Sequence, residues 1–300
     1  MQSHSIAHIA DVHVVRGLEA DASAAPDLLM EIPHGATETA DFLELAAHME
    51  SPLPEGLCDF FHVNTDVGAF ELALKTAEYL VEMAPTRSVV LVRSRIPRTF
   101  IDCNRRMDAS PEAFREGRVT PGLMPWIVAQ SDRALLRDRY DAYMDAVKTA
   151  AAGLSPNGAV LLLHTYSPRS VDVQVDEDIV KNLRRAYEPE IEPSWPLRPE
   201  IDVICRDSEG RDHAPRELLE ALRKELAALD WPLSEGSTYP LHPSTMAWDH
   251  VMERPGRALC LEVRRDLLAD PFDPFVQMHI GAEKIERVAR ALARALGQWS

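Results

Sequence analysis

The sequence predicts an α/β protein, a three-layer α/β/α sandwich around a mostly parallel or mixed central sheet. Four short apolar runs, rich in Val, Leu and Ile and without alternation, are typical of strands covered on both faces. Amphipathic helical patterns lie between these runs, as in layered α/β folds. With 300 residues, the chain is long enough to bury a large core. The predicted strands are Leu28–Ile32, Ser88–Val92, Ala159–Leu163 and Ala258–Val263.

Four amphipathic segments are predicted to form helices that cover the sheet. In the last of them, apolar residues recur at the i, i+3 and i+4 spacing of a single helix face. Two Pro-rich stretches, near 189–199 and 232–243, interrupt the pattern. We interpret them as surface loops within one domain that spans residues 1–300. The predicted helices are Val67–Met83, Ile127–Leu154, Glu217–Leu229 and Ala282–Leu296.

Composition argues against several classes of protein. The formal net charge is −16 and no long Lys/Arg run occurs, so the basic stripe of a nucleic-acid-binding protein is missing. No apolar run approaches the roughly 20 residues of a membrane span, and the N-terminus does not read as a signal peptide. The four scattered cysteines suggest no disulfide framework. We therefore expect a cytoplasmic protein without nucleic-acid or membrane partners; the sequence does not predict its oligomeric state.

Ionisable residues occur where ligands bind in open α/β sheets, at the carboxyl ends of the strands. His34 follows the first strand in "LLMEIPHGATE", His164 ends the third in "VLLLHTYSP", and Glu262 lies in the fourth, "ALCLEVRRD". Two imidazoles and a carboxylate form a common catalytic zinc site, and a further carboxylate can act as general base. We interpret Gly35, beside His34, as room for the close approach of backbone and substrate.

Six short motifs extend this pattern over most of the chain, from about Leu28 to Leu268. They are "IPHGA", "NTDVGA", "RTFIDCNR", "TPGL", "LLHTYSP" and "LEVRRDLL". In this order they resemble the N-formylglutamate amidohydrolase family, which is similar in fold to zinc carboxypeptidases and aspartoacylase-like deacylases. The resemblance implies a zinc-peptidase-like sandwich. It also implies a zinc-dependent hydrolase in amino-acid degradation that cleaves the linear amide of an N-acyl acidic amino acid, such as N-formylglutamate.

The resemblance also implies roles for individual residues. His34, Asp66 and His164 are the implied ligands of Zn²⁺ or another divalent transition metal, and Glu262 is the implied general base. Arg105 would help to stabilise the oxyanion. The implied contacts of the small anionic substrate are Arg98, Asn104 and Arg105, with Asp102 orienting an arginine, and His242 in the second Pro-rich stretch is added as a pocket candidate from its position.

Two aspects of the metal site stay open at this stage. Glu38 lies four residues after His34, a spacing that places both on one face of a helical turn, so it is the alternative carboxylate ligand. Asp66 precedes a helix and could be its N-cap instead. Leu162 stands where the family usually has an aspartate. His164 then needs another partner to fix its tautomer, such as a backbone carbonyl.

Alternatives to the leading function follow from the same residues. Glu262 lies in a run that otherwise reads as buried, so a structural ion pair with Arg264 or Arg265 is its alternative interpretation. The chain could be a deacylase or carboxypeptidase that acts on another N-acyl amino acid or peptide through the same site. Because of Leu162, a metal-free, non-catalytic binding homologue is the third possibility.

Overall fold

The computed structural model describes residues 2–117, 119–270 and 272–299. Its strands, in chain order, are β1 (Gln2–Ile6), β2 (Ala10–Arg16), β3 (Leu28–Ile32), β4 (Ser88–Ser94), β5 (Ala159–Tyr166), β6 (Ile201–Val203), β7 (Leu233–Glu235), β8 (Ala258–Arg264), β9 (Ala269–Asp270) and β10 (His279–Ile280). Its α-helices are α1 (Thr39–Ala46), α2 (Leu57–Asn64), α3 (Ala69–Met83), α4 (Pro111–Glu116), α5 (Gln130–Ala152), α6 (Ile179–Ala186), α7 (Arg216–Ala227), α8 (Met246–Glu253) and α9 (Ala282–Gly297).

Eight of these strands form one mixed sheet, in the order β1-β2-β4-β3-β5-β8-β6-β7. The four central strands, β4, β3, β5 and β8, run parallel to one another. They are the four strands that the apolar runs predict. On the outer sides, β2 and β6 join the central strands in antiparallel orientation. The predicted α/β class and mixed central sheet are therefore confirmed.

Helices cover both faces of the sheet and give the fold its three layers. On one face α3, α7 and α9 pack against strand residues that include Met30 and Leu161. On the other face α1, α2, α5, α6 and α8 pack against strand residues that include Leu29 and Leu162. Neighbouring residues of one strand thus face different cores, because strand side chains alternate between the two faces. This explains why the central strands are apolar without alternation.

A polar group is buried inside the second core. The carboxylate of Glu31, on β3, accepts a hydrogen bond from the Tyr143 hydroxyl at 3.0 Å, and its other oxygen lies 2.7 Å from Nε2 of His250. Tyr143 belongs to α5 and His250 to α8. The Glu31 side chain has no exposure, so its charge depends on these two partners. The network ties two helices to the strand that leads to His34.

The Pro-rich stretches have little regular structure. The first contains a single 3₁₀ turn, Glu192–Ser194, whereas the second contains the three-residue strand β7, which the loop interpretation does not predict. No helix in the described ranges is both long and apolar enough to cross a membrane. The four cysteines all lie in those ranges and are free thiols, as expected from their scattered positions; they are Cys58, Cys103, Cys205 and Cys260.

Candidate active site

Three of the predicted site residues meet at the carboxyl edge of the central strands. Nδ1 of His164 lies 2.9 Å from Oδ2 of Asp66 and 3.2 Å from Nδ1 of His34. Nδ1 of His34 is in turn 3.2 Å from the same Asp66 oxygen. All three residues are at most 4 % exposed. The fold thus brings together side chains that are far apart in the sequence, with one donor atom of each within 4.8 Å of the others.

The backbone around these residues is tied together by hydrogen bonds. The amide of Asp66 donates to the carbonyl of His34 at 3.4 Å, and the hydroxyl of Thr165 donates to the carbonyl of Val67 at 3.0 Å. The first bond joins the segments that carry His34 and Asp66. The second joins the end of β5, which carries His164, to the segment after Asp66. The three side chains therefore stand on segments that are fixed relative to one another.

The structure favours Asp66 over Glu38 as the carboxylate of this group. Asp66 does not cap α3, since that helix begins at Ala69 with Gly68, in left-handed conformation at φ 81°, in the N-cap position. Glu38 instead caps α1, in a capping box with Asp41. Among the described residues, the group with metal-ligand geometry comprises the two histidines and Asp66.

Asp102 holds the outer nitrogen of His34. Its Oδ1 lies 2.7 Å from Nε2 of His34, while Oδ2 accepts from Nη2 of Arg98 at 3.0 Å and faces Nη2 of Arg105 at 3.4 Å. Asp102 therefore does contact both arginines, as expected, but the histidine contact was not predicted from the sequence. A carboxylate at Nε2 keeps the proton there and turns the Nδ1 lone pair of His34 toward Asp66.

Asn104 takes the place behind His164 that we expected a backbone carbonyl to fill. Its side-chain nitrogen lies 3.3 Å from Nε2 of His164, and its Oδ1 is buried and finds no hydrogen-bond partner among the described residues. A half-turn of the amide exchanges these two atoms, so that Oδ1 accepts from Nε2–H. Leu162 meanwhile packs into the core on the α5 side of the sheet. His164 thus has a partner without the aspartate that the family usually has.

Neighbouring groups keep two carboxyl groups of the site, those of Asp66 and Asp102, in their ionised forms. Burial opposes ionisation of Asp66, but His34 and His164 outweigh it and keep the pKa of this carboxyl below its usual value. Burial likewise opposes ionisation of Asp102, and Arg105 and His34 lower its pKa well below the usual range. Both carboxylates are therefore ionised near neutral pH.

This donor set fits a divalent transition metal. The Nδ1 protons of His34 and His164, which stabilise the Asp66 charge, are the ones that a metal would displace. With the remaining histidine protons on Nε2, toward Asp102 and Asn104, two nitrogen lone pairs and an anionic oxygen of Asp66 would then face one another at 3.2 Å or less. Such an arrangement repels itself unless a cation or a proton lies between the atoms. Two neutral imidazoles and one carboxylate are also a known ligand set of catalytic zinc.

Glu262 lies beside this group, on β8. It is the register partner of His164 on β5, so the two side chains leave the sheet on the same face. Its Oε2 atom is buried and has no hydrogen-bond partner in the described residues. Burial, together with the Asp66 charge, raises the pKa of Glu262 to about 7, and His164 partly offsets this. A carboxylate with such a pKa can both take and return a proton near neutral pH.

Among the described ion pairs, none joins Glu262 to Arg264 or Arg265. Arg264 pairs with Glu200 at 3.3 Å and with Asp266 at 2.8 Å. Arg265 donates from Nη1 to the carbonyl of Val63 at 2.7 Å. The alternative that assigns Glu262 to a pair with either arginine was therefore wrong for this structure.

The arginines that are predicted to bind substrate differ in exposure and in how many of their N–H donors already have a partner. Arg98 is partly exposed, and its Nε has no hydrogen-bond partner in the part of the chain that the structure describes. All three nitrogens of Arg105 have partners, with Nε and Nη1 donating to the carbonyls of Thr120 and Asn104 at 3.0 Å each and Nη2 near Asp102. Arg98 is thus better placed than Arg105 to meet a ligand, and a direct contact of Arg105 with substrate stays a prediction.

His242 lies apart from the triad. Its Nδ1 is 2.9 Å from the hydroxyl of Ser244, and its ring packs so closely on Gly117 that a Cβ there would lie 3.0 Å from Nδ1. The hydrogen bonds and ion pairs of the described residues do not connect His242 with His34, Asp66 or His164. Its role in binding substrate stays a prediction that the geometry does not favour.

The space beside Gly35 is filled by the protein. A Cβ on Gly35 would lie 2.5 Å from Cγ of Arg93, and Nε of Arg93 donates to the Gly35 carbonyl at 2.7 Å. The glycine therefore makes room for an arginine of β4, and the prediction that this room serves the substrate was wrong. The close approach itself was predicted correctly, but its partner was not.

Two residues that lie near Glu262 were not predicted from the sequence. Asp202, on β6, is the register partner of Glu262 and has no exposure. Arg198, in the first Pro-rich stretch, is near enough to lower the pKa of Glu262. Neither belongs to a recognisable motif. A signal for Asp202 existed in retrospect, because an aspartate inside the apolar sequence "IDVIC" needs a buried partner.

Comparisons with known proteins agree with the fold. The structure is similar to that of N-formylglutamate amidohydrolase from Ralstonia eutropha JMP134, with a TM-score of 0.60 and 14 % identity over 96 % of this chain and 97 % of that one. It is also similar to a gene product from Agrobacterium tumefaciens, with a TM-score of 0.54 and 18 % identity over 96 % and 94 %. No curated protein matches the chain. At these identities the likeness shows the fold alone.

The sequence itself settles the family. The family model described as N-formylglutamate amidohydrolase matches residues 26–269, which is most of the chain and includes the triad, Asp102 and Glu262. The resemblance predicted from the six motifs is thus confirmed. On this match, the chain belongs to the N-formylglutamate amidohydrolase family of hydrolases.

Proposed function

We propose that the chain is a metal-dependent amidohydrolase that cleaves the amide of an N-acyl acidic amino acid, with N-formylglutamate as the first substrate to test. The observation that carries this proposal is the buried group of His34, Asp66 and His164, whose donor atoms face one another at 3.2 Å or less. Beside it lies the buried Oε2 of Glu262, which has no hydrogen-bond partner among the described residues. Membership in the family supports hydrolysis of a linear amide.

The triad would hold Zn²⁺ or another divalent transition metal. A cation of this kind supplies Lewis acidity, which polarises a carbonyl oxygen and makes water a stronger nucleophile near neutral pH. Asp102 and Asn104 serve this site by holding the outer nitrogens of the two imidazoles, so that both Nδ1 lone pairs point inward.

Glu262 would move the proton. Its free Oε2 accepts a proton from the attacking water and returns it to the nitrogen of the leaving amine. Burial raises the pKa of Glu262 to about 7 in the protein without metal, and a bound cation would lower it, so that the carboxylate is ionised and able to accept a proton near neutral pH. Burial that keeps bulk water away from Oε2 also protects the proton from exchange during the reaction.

Arg98 would provide positive charge for the substrate. It is held by Asp102 at 3.0 Å, and its Nη1 lies 3.9 Å from Oδ1 of Asp66, so it borders the triad. Its partial exposure leaves it accessible to a carboxylate or to the oxyanion that forms during acyl transfer. Arg105 would act chiefly by fixing Asp102.

Because the proposed partners are small molecules and the four cysteines are free thiols, we also propose a cytoplasmic location.

Metal content and hydrolysis of N-formylglutamate, measured on the same preparation, test this proposal. We expect about one equivalent of transition metal per chain, loss of formate release after chelation, and recovery when Zn²⁺ is added back. A protein with less than about a tenth of an equivalent, which Zn²⁺ does not restore, would instead support the metal-free binding homologue. N-acetyl and N-succinyl amino acids and short peptides, assayed in parallel, separate a deformylase from the deacylase and carboxypeptidase alternatives.

A further inference from the structure

Arg198 is a half-buried cation that is held by neutral partners. Its Nε donates to the hydroxyl of Ser170 at 3.0 Å, Nη1 to that of Ser167 at 3.2 Å, and Nη2 to that of Tyr239 at 2.8 Å. The guanidinium also lies over the rings of Tyr166 and Tyr239, at 5.1 and 5.6 Å from their centroids. Within the described residues, no carboxylate forms an ion pair with it. These hydroxyls position the charge without neutralising it.

One N–H group of this guanidinium remains for a ligand. Arginine has five side-chain N–H donors. Nε donates to Ser170, Nη1 donates to both the hydroxyl and the carbonyl of Ser167, at 3.2 and 3.4 Å, and Nη2 donates to Tyr239. One N–H on Nη2 is left, and a carboxylate can accept a charge-assisted hydrogen bond from it.

The backbone of Arg198 is fixed to the strands that carry the site. Its amide donates to the carbonyl of Pro168 at 2.8 Å, and its carbonyl accepts from Nη1 of Arg264 at 2.9 Å. The hydroxyl of Tyr166 donates to the carbonyl of Pro199 at 2.7 Å. Tyr166 ends β5 and Arg264 ends β8, so the segment is tied to both. A contact made from such a fixed segment costs little ordering entropy on binding.

The tyrosine that holds Arg198 is also anchored to the sheet. Asp202, opposite Glu262, accepts from the Ser237 hydroxyl at 3.0 Å and from the Thr238 amide at 2.8 Å. This fixes the turn that leads to Tyr239, whose hydroxyl accepts from Arg198. Asp202 thus helps to position Arg198 through Tyr239, and this structural role explains why an aspartate is buried at this place.

Charges of both signs surround Glu262. Arg98 and Arg105 share Asp102, and the carboxylate nearest Arg265 is Asp66, at 3.9 Å. Among the described residues, no carboxylate pairs with Arg198. A divalent cation bound by the triad would give the site an excess of positive charge. In a chain whose net charge is −16, such a local excess would allow an anion to approach. The groups concerned are the guanidinium groups of Arg98, Arg105, Arg198 and Arg265 and the carboxyl groups of Asp66, Asp102, Asp202 and Glu262.

We propose that Arg198 binds a second carboxylate of the substrate, so that the site selects N-acyl amino acids with an acidic side chain over the corresponding side-chain amides. This inference rests on the proposed function, because it assumes that the substrate lies between Glu262 and the triad. One carboxylate meets Arg98, and the other meets the charge of Arg198 and the free N–H on its Nη2. Arg198, Arg98 and Glu262 are the partly exposed charged groups of the site, so an arriving substrate meets them first.

The kinetic test compares N-formyl-L-glutamate with N-formyl-L-glutamine, which has the same shape and lacks the second charge. For the zinc-loaded wild type we expect kcat/KM to favour the glutamate derivative by about 10- to 100-fold. Arg198→Gln should remove this preference by lowering only the glutamate value. Arg198→Lys should keep part of it. Arg290→Gln is the matched control, since Arg290 also stacks on a tyrosine, Tyr79 at 4.2 Å, but on α9.

A binding measurement separates this inference from the proposed function. In zinc-loaded Glu262→Gln protein, with and without Arg198→Gln, calorimetry gives the affinity for both compounds without turnover. Tighter binding of the glutamate derivative that disappears with Arg198→Gln supports the inference, even if the wild type hydrolyses neither compound and the proposed function fails. Equal affinity for both compounds, or a preference that survives in a folded Arg198→Gln protein, overturns it, whether or not hydrolysis occurs. Circular dichroism establishes that each variant is folded.

Discussion

Oδ1 of Asp102 lies 2.7 Å from Nε2 of His34, the ring nitrogen that does not face Asp66. The same carboxylate holds Arg98 at 3.0 Å through its other oxygen. One buried aspartate therefore sets the tautomer of a candidate metal ligand and the position of a candidate substrate contact. Its sequence position, in the "RTFIDCNR" motif, is far from His34, and only the packing of the strand ends makes the connection.

Asp102→Asn is expected to weaken metal binding about 10- to 100-fold, because an amide holds the His34 proton less firmly than a carboxylate does. Competition with a chelator of known affinity measures this. Asp108→Asn is the matched control, since Asp108 is exposed and pairs only with Arg106 in the described ion pairs. Unchanged metal affinity in a folded Asp102→Asn protein would contradict the role given to Asp102.

Glu262→Gln is expected to keep the metal and to lose about 10²- to 10⁴-fold in kcat, because glutamine has the shape of the side chain but cannot carry the proton. Metal analysis and formate release on the same sample give both quantities. Near-normal turnover of this variant with a full complement of metal would remove Glu262 from the mechanism.

The titration of Glu262 provides a test that needs no substrate. In metal-free protein its pKa of about 7 should be visible in the carboxyl ¹³C signal of labelled glutamate, which the Glu262→Gln variant identifies. A bound divalent cation favours the ionised form, so metal should lower this pKa. In the loaded enzyme kcat/KM should then fall with falling pH, as the base becomes protonated. A midpoint near the ordinary value of 4.5 in metal-free protein would contradict the assignment.

The buried pair of His250 and Glu31 should make stability depend on pH. Burial opposes a charge on His250, but the Glu31 carboxylate at 2.7 Å outweighs it and raises the pKa of the imidazole. A pKa that is higher in the folded state adds stability that is complete below the unfolded value, about 6.5, and is lost as the pH rises through the folded value.

His250→Gln should consequently cost more unfolding free energy at pH 5.5 than at pH 9. We expect a loss of about 3 kcal/mol at the lower pH, since the change leaves a buried carboxylate without its charged partner. Urea denaturation at both pH values measures it. An equal loss of unfolding free energy at pH 5.5 and pH 9 would show that the pKa of His250 does not differ between the folded and the unfolded protein.

Gly35→Ala should destabilise the fold by about 1–3 kcal/mol, because the new Cβ overlaps Cγ of Arg93 and either the side chain or the backbone must move. Gly153→Ala is the control, since a Cβ on Gly153 would lie 3.4 Å from the carbonyl oxygen of Thr149 and 3.5 Å from that of Ala150, which are ordinary van der Waals distances. Similar unfolding free energies for the two variants would contradict the close packing at Gly35.

The central part of the fold could be predicted because burial on both faces leaves a strong signal in the sequence. Strands β3, β4, β5 and β8 are apolar runs, and their helices carry clear amphipathic patterns. The outer strands lack this signal. Strand β1 is exposed over most of its length, and β6 and β7 have only three residues each. Polar or very short edge strands look like loops, and their pairing depends on the sheet that is already present.

The residues of the candidate site could be predicted only where the end of a strand or a family motif marks them. His34, His164 and Glu262 follow from their places at strand ends, whereas Asp66 required the family pattern. The partnership of Asp102 with His34, and of Asn104 with His164, depends on three-dimensional packing that the spacing of residues does not encode. Arg198 was missed because a proline-rich loop has no periodicity from which the direction of a side chain could be inferred.

The late position of β8 in the sequence affects how the sheet can form while the chain is being synthesised. It pairs with β5 on one side and β6 on the other, and it is the last strand of the central sheet in sequence order. Until it leaves the ribosome, a growing chain has the fully buried strand "AVLLLHTY" as an open edge, and β6 and β7 have nothing to join. Exposed apolar edges favour aggregation. The strand that carries Glu262 therefore also covers this edge, so that one segment supplies a candidate site residue and protects the nascent chain from aggregation.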